Sequence, residues 1–211
     1  MAYEDLQNDY TEVDIGADRV VLSTVTATVS NIDRDEEVYV YKDFGAAHFD
    51  VYEHLSEVEF TGNNGQFAYG AANVIGGELD DFYNNTDASG WVMKYDGANY
   101  SIEIWHMESG NLREFDQYTP AAQDTPYYVK YTRLENGDCG GRVYSDAART
   151  NLLDTLTMND DGDARRYSFG MSGMDKPASG DAISYLVTNI DLQEAPPAAG
   201  NPWYAYAQQA A

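Results

Sequence analysis

Short segments in which apolar or β-branched residues alternate with polar ones recur along the whole chain, and clusters of Gly, Asn and Asp separate them. Residues 19–29 read as the first strand, with Val21, Val25 and Val29 among its β-branched positions. Residues 38–41 follow, then 54–60 and the small-residue run 67–74. Segments 91–95, 100–108 and 112–118 come next, divided by the turns Asp96-Gly97 and Ser109-Gly110-Asn111. Segments 127–134, 141–144, 152–158, 167–171 and 182–192 complete about a dozen strands. Spacing of this kind predicts an all-β sandwich. Helical periodicity is nearly absent: residues 145–151 offer one turn, and 205–211 a short helix. The chain shows no repeat of about 20 to 50 residues, which argues against a propeller or solenoid.

Composition sharpens this picture. The 211 residues include 36 acidic and 12 basic side chains, a formal net charge of −24. The acids are 23 Asp and 13 Glu, the bases 8 Arg and only 4 Lys. Such a chain repels itself in dilute salt. At ~1 M salt the Debye length is ~3 Å and most of the repulsion is screened. The Asp-rich, Lys-poor balance therefore points to a halophilic or marine setting, although calcium binding or plain acidic solubility would also produce it. Nucleic acid is a poor partner, because phosphates are repelled and the cations do not cluster. Hydrophobic residues make up 43%, enough for a core. No apolar run approaches the ~20 residues of a spanning helix, and residues 1–10 lack the plan of a secretory signal, so no membrane insertion is expected. Cys139 is the sole cysteine, which excludes an intrachain disulfide framework and a cysteine-based zinc site.

The chain divides into an N-terminal segment (1–18), a sandwich domain (19–194) and a tail (195–211). The tail opens as a linker, Pro196-Pro197-Ala198-Ala199-Gly200, and ends in Trp203, Tyr204 and Tyr206. Three aromatics beyond a linker are costly to leave in water. They are expected to dock, either back on the parent sandwich or on a neighbouring subunit.

Several segments carry a family resemblance: Tyr39-Val40-Tyr41-Lys42-Asp43-Phe44-Gly45, Tyr127-Tyr128-Val129-Lys130, the run from Tyr144 through Asp146 and Arg149 to Leu156, and Asn189-Ile190-Asp191-Leu192. With them, residues 19–194 resemble the concanavalin A-like (laminin G-like) jelly rolls of phage and environmental viral structural proteins. The resemblance implies an all-β, two-sheet antiparallel jelly-roll sandwich, one sheet concave and one convex, with loops at the rims. It does not fix function, since the fold hosts lectins, glucanases and structural domains.

Jelly-roll glucanases carry their carboxylates on one strand with a period of two. Here Glu57 and Glu59 share a face but the third carboxylate is missing, since positions 61 and 62 are Thr and Gly. No enzyme is expected. In 101–107, alternation puts Ile102, Ile104 and His106 on one face and Glu103 and Trp105 on the other. If the isoleucines point inward, Trp105 and Glu103 form an aromatic plate beside an acceptor, as a sugar ring requires; burial under a rim loop or in an interface is the alternative. His48, His54 and His106 lack metal-ligand spacing. Gly140-Gly141 reads as a turn with Cys139 at its edge. Asn159, Asp160, Asp161 and Asp163 crowd oxygen ligands into one loop, so a structural Ca2+ is the one cofactor the sequence suggests, against the alternative of a plain hairpin turn.

The function expected first is a non-enzymatic virion structural protein: a capsid decoration, turret or tail-associated protein of a tailed virus from a saline habitat, on the virion surface. Its partners would be other virion proteins and copies of itself, with buried aromatics as interface anchors. The alternative is a lectin-like carbohydrate-binding module that recognises host surface glycans through Glu103 and Trp105.

Overall fold

The structure, a computed structural model, describes residues 3–14, 19–32, 38–62, 65–73, 87–95, 98–109, 111–134, 136–160, 162–171 and 183–193. These form α1 (Leu6–Asp9), β1 (Thr11–Asp14), β2 (Val20–Leu22), β3 (Thr26–Ile32), β4 (Val38–Asp43), β5 (Tyr52–Phe60), β6 (Gly65–Ala72) and β7 (Ala88–Tyr95). β8 (Tyr100–Glu108), β9 (Asn111–Ala121), β10 (Tyr127–Arg133), β11 (Asp138–Tyr144), β12 (Leu152–Asn159), β13 (Tyr167–Met171) and β14 (Ile183–Gln193) follow. Two seven-stranded sheets result, in the orders β1-β4-β13-β6-β7-β8-β9 and β12-β11-β10-β5-β14-β3-β2. The chain is a β-sandwich, as its alternation predicts, and an antiparallel jelly roll, as the family resemblance implies.

β10 shows why the pattern folds this way. Tyr127, Val129, Tyr131 and Arg133 are buried, while Tyr128, Lys130 and Thr132 between them are half-buried. From the second sheet Val58, Val129, Val143, Leu156 and Val187 meet Trp91, Met93, Ile102 and Ile104 of the first. Each such side chain stabilises the fold by roughly 1.5–3 kcal/mol. Gly141 sits mid-strand in β11 and not in a turn, because a Cβ there would lie 2.5 Å from Ile104 Cγ2 and 2.8 Å from Trp91 Cη2. The first sheet also buries residues of its outer face: Tyr39, Ala68, Ala72, Ala88, Val92, Trp105 and Met107 form a second cluster. β8 is therefore buried on both faces, with all of its interior positions enclosed.

Several boundaries differ from those expected of the sequence. Residues 19–29 hold a turn, where Ser23 N donates to Thr26 O (2.8 Å) and Thr26 N to Ser23 Oγ (3.1 Å), and this separates β2 from β3. Residues 3–14 of the N-terminal segment pack on the sandwich. Asp5 caps α1 by accepting from Asn8 N (3.1 Å), Leu6 and Tyr10 are buried, and β1 pairs with β4. Glu4 N donates to Ile190 O (2.8 Å) and Leu6 N to Thr24 O (2.9 Å), so the segment ties both sheets at this flank. Residues 145–151 make no helix. Asp146 gathers them into a turn, with its carboxylate accepting from Thr150 N (3.1 Å) and Asn151 N (2.6 Å). The linker and Trp203, Tyr204 and Tyr206 lie outside the described residues.

Candidate functional site

At one end of the sandwich the chain crosses twice between the sheets, from β4 to β5 and from β12 to β13. The β10–β11 turn rises beside these crossings. Arg133 ends the inward register of β10, and its side chain is 5% exposed. Nε donates to Asp160 Oδ2 (3.1 Å), and Nη1 to Asp50 Oδ1 (3.0 Å) and to the Asp50 carbonyl. Nη2 donates to the carbonyls of Asp160 (3.1 Å) and Gly162. A guanidinium has five N–H groups, so every one is committed. One side chain thus fastens both crossings to the sheet.

Asp160, fully enclosed, is the anion on which this end is built. Oδ1 accepts from Arg165 Nη2 (2.9 Å) and Gly162 N (3.2 Å), and His106 Nε2 lies 3.1 Å away. Arg165 is itself fully buried and held by reciprocal backbone bonds with Phe49 (2.8 and 2.9 Å). A buried carboxylate demands such partners, since an unpaired one costs several kcal/mol. Gly162 fits because a Cβ there would lie 2.7 Å from Arg165 Nη2. Below lies an aromatic layer. Tyr52 stacks on Tyr131 (ring centroids 5.6 Å) and its hydroxyl meets Ser89 Oγ (2.9 Å). Burial, then nearby Asp160, pushes the Cys139 thiol up to about 12, which makes it an inert core side chain and not an accessible turn-edge thiol.

Above this network a pocket of about 670 Å³ opens between the crossings. Asp50, Asn73, Asn136 and Asp163 line it together with Gly137, Gly162 and Arg133. The Asn136 amide is partly spent on Asp138, donating to Oδ2 (2.6 Å). The Asp50 side chain remains 64% exposed and Asp163 is exposed. The pocket thus presents carboxylates and amides on a rigid base.

The residues expected from sequence fall differently. Glu103 and Trp105 do share the face opposite Ile102 and Ile104, but both are buried, at 7% and 2% exposure. Glu103 accepts from Ser101 Oγ (2.8 Å) and lies 3.4 Å from Lys94 Nζ, while Trp105 joins the outer apolar cluster. They form no open sugar plate. The calcium ligands do not converge either. Asp160 turns inward to two arginines, Asn159 reaches towards Asp138 (3.4 Å), Asp163 faces the pocket, and Asp161 lies outside the described residues. Among the described residues no three His, Cys, Asp or Glu side chains are grouped to hold a metal ion. Glu57 and Glu59 lie on the outer face of the second sheet, opposite Tyr128 and Leu186 respectively. Arg133, Asp50 and Asn73 carry no motif that singles them out in the sequence. The one signal there is an arginine at the inward phase of the 127–133 alternation.

No protein-family model and no curated protein matches the chain. Solved structures do. A legume lectin-like domain from Entamoeba histolytica superposes with a TM-score of 0.65 at 12% identity, covering 90% of this chain and 92% of that one. The fold is the legume-lectin-like, concanavalin A-like jelly roll. The alginate lyase Aly36B shares it at a TM-score of 0.52 and 15% identity, over 87% and 86% of the two chains. The exoplasmic/lumenal domain of VIP36, in a Ca2+/Man2-bound form, matches at 0.50 and 10%, over 92% and 89%. At such identities the likeness speaks for the jelly roll and leaves the choice between binding and catalysis to the site.

Proposed function

We propose that this protein is a carbohydrate-binding domain that receives a sugar in the pocket between the two crossings. The pocket carries the reading. Its volume lies within the ~300–1,000 Å³ usual for small-ligand sites, and it offers acceptors and amide donors for hydroxyls. Its base is fastened by all five donors of Arg133, so little ordering is left to be supplied on binding. A lectin-like domain and a sugar-bound lumenal domain among the structural neighbours agree with this role. The test is a glycan array followed by calorimetry on the full chain. Asp163→Ala, at an exposed position, is expected to weaken binding about tenfold, or ~1.4 kcal/mol, with the melting temperature unchanged and no turnover of the bound oligosaccharide. Absence of binding across the array by the folded protein would overturn the reading.

An assembly role on a virion surface draws on a different observation. Along edge strand β9, tied to β12 by Thr157 N donating to Asp116 Oδ2 (2.9 Å), Leu112 and Phe115 are 53% and 55% exposed. Large apolar side chains exposed on an edge strand favour contact with another protein chain. Light scattering of the wild type and of Leu112→Ser/Phe115→Ser tests it: an oligomer reduced to monomer supports assembly through this flank, and a monomer in both cases counts against it.

A further inference from the structure

The charge at the pocket also says which sugars it takes, an inference that rests on the carbohydrate-binding reading above. The only cation among the described lining residues is Arg133, and none of its N–H groups is left for a ligand. It therefore has no fork to offer a uronate carboxylate or a sulfate. The acids are in the opposite position. Asp50 gives Arg133 only Oδ1 and a backbone carbonyl, and its side chain stays 64% exposed at the pocket. Asp163 is exposed on the same rim. The basic side chains beneath, Arg165 and His106, are fully enclosed and turned to Asp160. The lining thus presents two carboxylates to a ligand against no available cation, on a chain whose net charge is −24.

We propose that the pocket selects amino sugars that carry a free ammonium group, such as a de-N-acetylated hexosamine within an oligosaccharide, and rejects uronate and sulfated sugars. The ammonium sits between Asp50 and Asp163 while ring hydroxyls meet Asn73. N-acetylation removes the charge and with it the ion pair.

The full chain is titrated by calorimetry, at moderate salt and mildly acidic pH, with glucosamine tetramer, N-acetylglucosamine tetramer, mannuronate tetramer and tetralysine. Glucosamine tetramer is expected to bind at least about tenfold more tightly than its acetylated form, and mannuronate not at all. The preference should shrink as salt rises and as pH passes the titration of the sugar amine. Asp163→Asn should abolish it while leaving tetralysine binding unchanged. Equal affinity for the free and acetylated tetramers, or binding of mannuronate, would overturn the charge preference and leave the carbohydrate reading standing. Tetralysine lost together with glucosamine in Asp163→Asn would mean that the pocket takes amines without regard to the sugar. Silence from every glycan, here and on the array, would remove the carbohydrate reading itself.

Discussion

Where β4 hands over to β5 and β12 to β13, the space between the sheets holds Asp160, Arg133, Arg165 and His106 over the Tyr52 and Tyr131 rings. At the opposite end the same space holds Phe60, Tyr100, Tyr127 and Tyr185, and every polar tip there meets a neutral partner. Tyr100 Oη donates to Gln123 Oε1 (2.9 Å), Tyr127 Oη accepts from Ala122 N (2.8 Å), and Tyr185 Oη donates to the Met93 carbonyl (3.2 Å). Neutral tips are buried at little cost when paired. Charges are not, and an ion network is no cheaper route to stability than packed hydrocarbon. What the charged end gains is a fixed geometry for two loop crossings, and that is the end where the pocket lies.

The largest effect expected from this contrast comes from Arg133→Met. It strips Asp50, Gly162 and Asp160 of a donor together and leaves the buried Asp160 carboxylate with Arg165, His106 and the Gly162 amide. A loss of about 3–5 kcal/mol in urea unfolding is expected. Arg165→Met should cost far less. It spends a single guanidinium bond, on Asp160 Oδ1, and its removal leaves one buried arginine against one buried carboxylate. If the two substitutions cost the same, Arg133 is not the fastening of this end.

Acid should strike the pocket end selectively. His54, stacked near Tyr52 (4.4 Å) and Phe49 (5.2 Å), has its pKa pulled down to about 3 by burial and then by the neighbouring His48. The unfolded chain protonates this ring from its ordinary value of 6.5 downward, whereas the folded chain does so only near 3. The unfolded state thus binds more protons throughout that window. Stability is fully present above 6.5 and falls as the pH drops below it, by up to ~1.4 kcal/mol per pH unit. Between pH 7 and pH 5, above the range where most carboxylates titrate, a loss of about 2 kcal/mol is expected. Urea midpoints across that range check it, and His54→Phe should flatten the slope. An unchanged slope in that variant would assign the acid sensitivity elsewhere.

The same contrast explains how much could be read from sequence. Strands were legible because alternation is local: residues 127–133 announce their faces without help from the rest of the chain. Gly141 misled for the opposite reason. Its lack of a side chain answers Trp91 on the facing sheet, not a turn in its own strand. Asp160 looked like a calcium ligand, since a loop carboxylate reads alike whether a metal or a guanidinium will meet it. Its partner Arg133 lies 27 positions away. For Trp105 the face followed from alternation but the exposure did not, because burial depends on what lies over a sheet. The N-terminal strand β1 was missed because its pairing joins Thr11 to Tyr41 and Asp14 to Val38, far apart in the chain, through a four-residue segment with no marked pattern of its own.

The smallest predicted effect lies at the neutral end. Tyr185 is buried, burial raises its phenol well above the usual range, and its hydroxyl donates to the Met93 carbonyl across the sheets. Tyr185→Phe removes the donor and keeps the ring against Phe60 (centroids 5.8 Å). The Met93 carbonyl lies on β7, whose ladder with β6 and β8 supplies other donors. The cost should therefore stay near the ~0.5–1.5 kcal/mol of one neutral hydrogen bond, with no pH dependence between about 5 and 8, where neither Tyr nor Phe changes charge. A loss as large as that from Arg133→Met would place a fastening at both ends of the sandwich, and the pocket end would no longer be set apart by its charges.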